Sequence, residues 1–576
     1  MSWTGSAGDR ERLTDVTAPA PLGGAGRIAG AATLIAVLTL VSRLAGFGRT
    51  AVFTWVMGEH SDLGGMYVVA NTVPNIIFEI VAGGALASLV VPLLAGAVAA
   101  GDRTAVATTT GALLTWTLTL LAPLAVLVAL LAEPIIGTLA AGRSAAEIDA
   151  GARMLRIFAP QLPLYGVGVV LTGVLQAHRR FAWPVIAPLL SSLTVIGAYL
   201  AFAAIDGVGA SVADVSRGGE VVLSAGTTLG VAVLSLSLLV PLRGLRLRLR
   251  PGFRFTEDAR RKVGGLAVAG AVSVAAQQVA LVVLLNRVTG GPDGAPVIFN
   301  LAQTLYLVPW AVLAVPLAVA AYPTLAAAHA TGDRDGYRRT LAPTVRRVLL
   351  ASCLGAAMLA ATAGPVARFF WGGGAEGASV AAIAGFAPGL LGYGLFAVLT
   401  RALYASGDTR TATVVTAAGW LVVPVAAVAL SAALPDSHRV LAAALANSVG
   451  MVVLGVLLVV SVARRAGRPA LAGLARAAAV GVLAGTAGVA AGAAVSDALL
   501  GLTIGTPAQW MSVLHGLLSG VAVGAVFLVV AYPLDRHDIR PALVAGWRRL
   551  SGRRTALTGR NGPGNDGEGK PTGERG

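Results

Sequence analysis

The sequence contains few charged residues. Only 12% of its 576 residues are charged and 56% are hydrophobic, whereas about a quarter of the residues of a soluble domain are charged. The mean hydropathy of +0.78 agrees with this composition. This scarcity of charge excludes a water-soluble protein, so most of the chain must lie in lipid. One membrane-spanning helix needs roughly 20 apolar residues, which leaves room for a dozen or more spans.

Cysteine and histidine are also scarce. The single cysteine, Cys353, lies inside an apolar run, which excludes a disulfide framework and a cysteine-based metal site. The six histidines are scattered, no glycine-rich phosphate loop is present, and the loops are too short to hold a sugar donor. We therefore expect no enzyme activity, no metal and no cofactor.

Lysine occurs only at Lys262 and Lys570, so arginine supplies nearly all of the net charge of +16. The arginines fall mainly in alternate loops, and the intervening loops are mostly acidic. This alternation follows the positive-inside rule and argues against nucleic-acid binding. It predicts an even number of spans with both termini in the cytoplasm.

These patterns predict an all-α polytopic membrane protein of about fourteen spans. We place the spans near residues 28–57, 64–100, 104–132, 151–177, 182–205, 221–242, 263–289, 296–329, 343–371, 379–405, 411–432, 439–463, 472–496 and 511–534. The predicted domains are a disordered tail (1–27), an N-lobe of six spans (28–242), a basic cytoplasmic linker (243–262), a C-lobe of six spans (263–463), two further spans (464–536) and a basic, mostly disordered tail (537–576).

The chain repeats itself. The segment VPLLAGAVAAGDR at 91–103 reappears as YPTLAAAHATGDR at 322–334, and VLQAHRRFA at 174–182 corresponds in position to ALYASGDTR at 402–410. A repeat of roughly 230 residues therefore contains six spans. Because six is even, both copies have the same orientation and are related by an axis along the membrane normal. This predicts a two-lobed transporter with its site between the lobes.

Two arginines lie inside the first apolar run, at Arg43 and Arg49. An arginine near the bilayer centre costs about 2.5–3.5 kcal/mol on insertion scales, so it normally faces a wet cavity or a partner. A guanidinium binds phosphate oxygens in a bidentate manner, which favours capture of an anion. Arg43 lies deeper and is expected to face the cavity. For Arg49, snorkelling to the outer interface is an open alternative.

The second apolar run combines Pro74, Glu79, Gly83 and Gly84. A proline removes a backbone donor and paired glycines loosen a helix, so we expect a broken, cavity-lining helix that takes part in gating. Glu79 is either an ion-pair partner of the first-span arginines or a site of ion coupling. Near the end of the tenth run, Arg401 either lines the cavity or snorkels.

These motifs resemble the MurJ (MviN) lipid II flippase family of the MOP exporter superfamily. SRLAGFGR at 42–49 and VPNIIFEIVAGGALASLVVPLL at 73–94 resemble its first two span signatures, and LQAHRRFAWPVIAPLLSS at 175–192 and LYASGDTRT at 403–411 resemble its two cytoplasmic turns. The pattern around Glu79 is similar to the actinobacterial branch. The resemblance covers residues 28–536.

The resemblance implies a fourteen-span fold in the bacterial plasma membrane, with a cationic cavity for the undecaprenyl-diphosphate head group of lipid II. The family's first-span arginines map onto Arg43 and Arg49. Other charges of the family are absent. Thr50 stands where an aspartate is frequent, Gly65 where an acid is frequent, Phe78 and Glu79 where many members carry an arginine pair, and Thr304 where an arginine is common.

We therefore expect a flippase that moves lipid II outward by alternating access, driven by the membrane potential or a coupling cation. The alternatives are a flippase for another polyprenyl-linked glycan of the teichoic acid, capsule or O-antigen type, a multidrug exporter of the same superfamily, and a non-transporting scaffold. The expected partners are lipid II or a related glycan, membrane lipids, and cell-wall synthesis or division proteins.

Overall fold

A computed structural model of the chain describes residues 25–80, 87–253, 257–372, 376–502 and 509–540. Every regular element in these ranges is helical. The helices are α1 Ala25–Met57, α2 Asp62–Phe78, α3 Ala87–Ala99, α4 Arg103–Leu130, α5 Ala132–Leu139, α6 Ala145–Phe158, α7 Gln161–Ala177, α8 Ala182–Asp206, α9 Arg217–Leu236, α10 Leu239–Arg243, α11 Glu257–Thr289, α12 Ala295–Pro309, α13 Val315–Ala330, α14 Arg334–Ala361, α15 Ala363–Trp371, α16 Glu376–Gly385, α17 Gly389–Ala405, α18 Thr409–Ala433, α19 Arg439–Ala466, α20 Leu474–Gly501 and α21 Gln509–Leu534.

The helices confirm the predicted all-α membrane fold. Within the described ranges, twelve helices or helix pairs are long and apolar enough to cross a membrane. They coincide with the third to fourteenth predicted spans, and α1 and the pair α2–α3 coincide with the first two. Several spans contain a break, because proline or glycine interrupts the helical ladder. For example, a π-helical turn, Trp310–Ala314, follows Pro309 between α12 and α13.

The predicted linker is shorter in the structure. Arg243 is the last residue of α10, and α11 begins at Glu257, so the final residues of the predicted segment 243–262 are helical. Most of the two predicted tails (residues 1–24 and 541–576) lies outside the described residues.

The repeated Gly-Asp-Arg is a joint between two helices. Gly101 and Gly332 have φ of +68° and +71°, a conformation that glycine adopts without a steric penalty. The aspartate that follows is the N-cap of the next helix: Asp102 accepts hydrogen bonds from the backbone of α4, and Asp333 from that of α14. The same arrangement recurs before α18, where Asp408 is the N-cap. The sequence repeat therefore encodes equivalent tight turns.

Buried apolar side chains form separate clusters. The largest lies wholly between Ala276 and Ala470. Two others consist almost entirely of residues before Pro251, one between Phe53 and Leu223 and one between Val90 and Leu242, and only Leu285 and Val297 join the first of these two from the second half of the chain. We keep the predicted names N-lobe and C-lobe for the two halves.

The last two helices, α20 and α21, pack on each other and on α14. An ion pair strengthens this attachment just beyond α21: Asp538 accepts hydrogen bonds from Nε and Nη2 of Arg346, at 2.5 and 2.9 Å. The carboxylate is almost fully buried, with 1% of its side chain exposed. The final spans are therefore fixed to the C-lobe.

Candidate functional site

A polar cavity of about 230 Å³ lies between the two lobes, and we call it the Arg49 cavity. Five helices of the N-lobe and α12 of the C-lobe form its walls. Among its described lining residues, Arg49 carries the only formal charge. The other polar lining residues are Thr50, Tyr67, Asn71, Thr72, Asn75, Tyr165, Ser191, Tyr199, Thr227, Asn300 and Thr304.

Helix α1 directs its arginines away from lipid. The exposed apolar side chains of its middle turns form one stripe, made by Val37, Leu40, Val41 and Leu44. At 100° per residue, Arg43 and Arg49 each lie roughly 110–130° from the centre of that stripe. Arg49 stands eight residues before the end of α1, or about 12 Å along the helix axis. It therefore lines the cavity about two helical turns before the end of α1.

Arg43 has a different environment. Both arginines are exposed, but Arg43 is not one of the residues that line the Arg49 cavity. Its position six residues earlier places it about 9 Å closer to the predicted cytoplasmic end. The predicted role of Arg43 in binding a diphosphate stays a prediction, while the geometry brings Arg49 to the cavity.

Hydrogen bonds between side chains hold the wall that α2, α7, α8 and α9 form. The hydroxyl of Tyr67 lies 2.8 Å from that of Tyr199 and 2.8 Å from Oγ1 of Thr227. Tyr165 donates to Oδ1 of Asn75 at 3.0 Å. These bonds join α2 to α7, α8 and α9, so the polar groups of the wall are held in place before any ligand arrives.

Two of the missing family charges fall in this cavity. Thr50 and Thr304 both line it, and they occupy positions where the resemblance implies an aspartate and an arginine. Phe78 packs against Tyr165, with ring centroids 4.4 Å apart and the rings tilted by 33°. Gly65 is buried against Pro296 of the C-lobe. Two of the positions that differ from the family pattern therefore lie in the same cavity. Around Arg49, two hydroxyl groups stand in place of one negative and one positive charge.

Glu79 lies at the end of α2, where the helix passes into a π-helical turn at residues 79–80. Its side chain is exposed and close enough to Tyr165 and Tyr393 to interact with them electrostatically. Among the described residues it forms no ion pair with Arg43 or Arg49. Its role in coupling stays a prediction.

The predicted break of the second span is visible in part. Pro74 is buried within α2, which ends four residues later at Phe78, and the next described helix begins at Ala87. Gly83 and Gly84, the other residues predicted to break the helix, lie outside the described residues.

Arg401 is half-buried in α17 and donates a hydrogen bond of 2.6 Å to the carbonyl oxygen of Ala397, one turn earlier. It does not line the Arg49 cavity. The structure therefore places this arginine apart from Arg49, and its predicted cavity role stays a prediction.

A seal that the sequence analysis missed joins the lobes at the acidic end of the helices, the predicted outer side. Arg143, between α5 and α6, forms an ion pair with Asp293. It also donates hydrogen bonds to the carbonyl oxygens of Thr289 and Gly291, both at 2.8 Å. These carbonyl groups lie at the C-terminus of α11, where the helix dipole favours a cation. An arginine in a loop that is otherwise acidic is the signal in the sequence that pointed to this contact.

The seal has a second contact at Glu59. Ser379 of α16 donates a hydrogen bond of 2.7 Å to Oε1 of Glu59, in the turn between α1 and α2. Burial raises the pKa of this carboxyl, against the lowering effects of Ser379 and His60. In the described residues, every side-chain hydrogen bond that joins one lobe to the other lies at this end. The seal therefore joins the two lobes on the acidic side of the molecule.

The chain is similar to known transporters. Residues 56–519 match the family model of lipid II flippase MurJ. A structure of lipid II flippase MurJ in an inward closed conformation has 18% identity and a TM-score of 0.66, covering 88% of this chain and 100% of that chain. An inward-facing multidrug resistance MATE family transporter has 15% identity and a TM-score of 0.60, covering 75% and 98%. A MOP superfamily transporter from Pyrococcus furiosus has 14% identity and a TM-score of 0.53, covering 76% and 95%. At these identities the structural matches show the fold alone.

Proposed function

The chain belongs to the lipid II flippase MurJ family, and we propose that it moves lipid II by alternating access around the Arg49 cavity. Its membership of this family makes the chain a multi-pass transporter of the bacterial inner membrane, which carries lipid II from the inner to the outer leaflet.

The observation that carries the proposal is the isolated charge of Arg49. A guanidinium inside a membrane normally has a counter-ion, yet among the described residues Arg49 forms no ion pair. The diphosphate of the substrate supplies the missing negative charge and matches the fork of the guanidinium. Arg43, nearer the predicted cytoplasmic end of α1, makes the first contact as the head group enters. The polyprenyl tail stays in lipid.

The outer seal defines one end of the cycle. While Arg143 and Glu59 hold the lobes together, the cavity is closed toward the outside, and the head group enters from the other side. Release requires these contacts to break and the lobes to rock. The membrane potential drives both directions, because each charge that crosses 100 mV changes the free energy by about 2.3 kcal/mol. An anionic load is driven outward, and the empty cationic cavity returns inward.

The test is exposure of lipid II in cells that depend on this protein alone for flipping. An enzyme that cleaves lipid II is added outside, and its product is measured for wild type, Arg49→Gln and Arg43→Gln at equal membrane expression. We expect Arg49→Gln to lower the product about ten- to a hundredfold, because hydrogen bonds to charged groups contribute about 1.5–3 kcal/mol.

Two further variants make this result specific. Arg410→Gln removes one exposed cationic charge outside the cavity and is expected to flip normally. Arg49→Lys keeps the charge but loses the fork, so an intermediate rate is expected. Full cleavage in Arg49→Gln would contradict the proposed role of Arg49 and leave the family assignment untouched. No cleavage even in wild type, with the protein correctly inserted, would instead point to another lipid-linked glycan as the cargo.

A further inference from the structure

The segment after α10, residues 244–253, is docked on the N-lobe, and we call it the basic strap. Its side chains alternate. Leu245, Leu247 and Leu249 are half-buried and pack against an apolar cluster of the N-lobe. Arg246, Arg248 and Arg250 are exposed. Residues 244–246 form a turn in which Arg246 has a φ of +49°, and the strap continues from Leu247 without helix. The leucines anchor the strap, and the three arginines face one common pocket.

Hydrogen bonds fix the end of the strap on α4. The backbone N–H of Gly252 donates to Oγ1 of Thr115 at 3.1 Å, and the indole N–H of Trp116 donates to the carbonyl oxygen of Phe253 at 3.1 Å. Helix α4 accepts the strap closely because it has Gly111 at the crossing. A β-carbon there would lie 2.3 Å from the carbonyl oxygen of Arg250. The positions of the strap arginines are therefore set by the fold.

The strap and the start of α4 enclose an open pocket of about 690 Å³. Four arginines line it, with no carboxylate among its described lining residues: Arg103, Arg246, Arg248 and Arg250. None of the four forms an ion pair with another described residue. The pocket also contains the hydroxyl groups of Thr104 and Thr108 and shares no lining residue with the Arg49 cavity. It is a separate concentration of cationic charge suited to a phosphate group.

An aromatic pair indicates the depth of this pocket. Trp116 and Phe253 meet edge to face, with centroids 5.3 Å apart, and are 41% and 55% exposed. The 28 residues of α4 extend about 42 Å, against a hydrocarbon core of about 30 Å. The pocket lies against the first turns of α4, from Arg103 to Thr108, whereas Trp116 is 13 residues, or about 20 Å, from the start of the helix. The pocket thus lies at head-group level on the arginine-rich side, and the aromatic pair lies deeper, at the level of the acyl chains.

We propose that the basic strap binds the phosphate head group of an anionic phospholipid in the leaflet on that side. The arginines and threonines bind the phosphate oxygens, and the pair Trp116–Phe253 contacts the adjoining acyl chains. Free phosphate would contact only the arginines and threonines and would leave the aromatic pair without a contact. The aromatic pair therefore favours a lipid as the source of the phosphate.

The test uses the purified full-length chain in detergent, titrated with phosphatidylglycerol, with bound lipid counted by native mass spectrometry. The strap variant Arg246→Gln/Arg248→Gln/Arg250→Gln is expected to weaken binding at least about tenfold, given the contribution of each arginine near an anionic surface. The control variant Arg334→Gln/Arg410→Gln/Arg464→Gln loses the same charge at exposed C-lobe positions and is expected to bind as wild type does.

Two comparisons distinguish the sources of phosphate. Phosphatidylcholine with the same acyl chains should bind more weakly, and millimolar inorganic phosphate should not displace phosphatidylglycerol. Displacement by inorganic phosphate would show that the pocket takes a free anion and not a lipid, and it would overturn the proposal. Equal binding by the strap variant and wild type would also overturn it. A photoreactive phosphatidylglycerol should label residues 103–116 and 244–253 of the wild type, and labelling confined to other segments would count against the site.

Discussion

At the scale of single residues, the charge balance around Arg49 determines what the cavity can hold. Family members often place an aspartate and an arginine where this chain has Thr50 and Thr304, so their cavity gains one charge of each sign. Here two hydroxyl groups replace them, and Arg49 lacks a carboxylate partner among the described residues. The sequence identified Arg49 as a costly intramembrane charge, but it could not show that the two threonines share its cavity, because that depends on how α1 and α12 meet.

Restoring the family charges one at a time tests this balance. Thr50→Asp places a carboxylate beside the guanidinium that is proposed to bind the diphosphate, so we expect lipid II exposure to fall about tenfold, as like charges repel. Adding Thr304→Arg to that variant should recover most of the activity. The external cleavage assay measures both. Equal activity of Thr50→Asp and wild type would show that the local charge of the cavity does not limit flipping.

The outer seal should respond to pH through Glu59. Burial raises the pKa of this carboxyl above its ordinary value of 4.5, so the closed seal favours the neutral form. The closed state therefore gains stability as external pH falls through the raised pKa, and the gain is complete below the ordinary value. In a Cys353→Ser background, Asn75→Cys should react more slowly with an external thiol reagent at acidic pH.

Glu59→Gln is the control for this prediction, because it keeps an acceptor for Ser379 but does not titrate. Its labelling should show only the pH dependence of the thiol itself. If labelling slowed at acidic pH as much in Glu59→Gln as in the protein that retains Glu59, the effect would belong to a different group.

At the scale of helices, the sequence predicted more of the spans than of the joints between them. Apolar runs are set by composition, so all fourteen predicted spans coincide with helices. The extra breaks, such as the π-helical turn after Pro309, and the short helix α5 depend on local packing and were not predicted. The Gly-Asp-Arg repeat was recognised only as a repeat, and the structure explains it as a left-handed glycine followed by an N-cap.

The docking of the basic strap on α4 depends on the absence of a side chain at Gly111. Gly111→Val should clash with the carbonyl oxygen of Arg250, which would lie 2.3 Å from the new β-carbon. We expect the strap to detach, and trypsin to cleave after Arg246 and Arg248 several times faster than in wild type. Gly137→Val is the matched control, because nothing lies within 4 Å of the β-carbon there. Unchanged cleavage in Gly111→Val would mean that the strap can dock in another way.

At the scale of the whole molecule, the two lobes have largely separate cores, which meet where Leu285 and Val297 of the C-lobe join an N-lobe cluster. The sequence predicted the lobes from the repeat, since a repeat of six spans has a fixed orientation. It did not predict the seal of Arg143, whose partners lie about 150 residues further along the chain. Such contacts depend on the relative placement of the lobes, which no local pattern encodes.

The attachment of the last two spans should depend on Asp538. Burial alone would raise the pKa of this carboxyl, but the hydrogen bonds and charge of Arg346 outweigh it and lower the pKa below 3.8. The pair therefore stabilises the fold at neutral pH and loses that effect as pH falls through the lowered pKa. Asp538→Asn should reduce stability at neutral pH by about 3 kcal/mol, since it breaks a buried pair.

Thermal unfolding in detergent at a series of pH values measures this effect. The difference in unfolding temperature between wild type and Asp538→Asn should become smaller as the pH is lowered. Asp436→Asn is the comparison, because the same kind of ion pair there involves a carboxylate with 76% of its side chain exposed and should contribute little. A difference for Asp538→Asn that does not change with pH would exclude the ion pair as its cause.

The docked strap also sets the length of the tether between the lobes. Counted along the sequence, the linker appears long enough for free movement, but Phe253 is held on α4 and α11 begins at Glu257. Four peptide links remain, with a reach of about 14 Å. While the strap is docked, the start of α11 must therefore travel with the N-lobe, and any wider separation of the lobes at this end requires the strap to peel away from α4 or α11 to unwind.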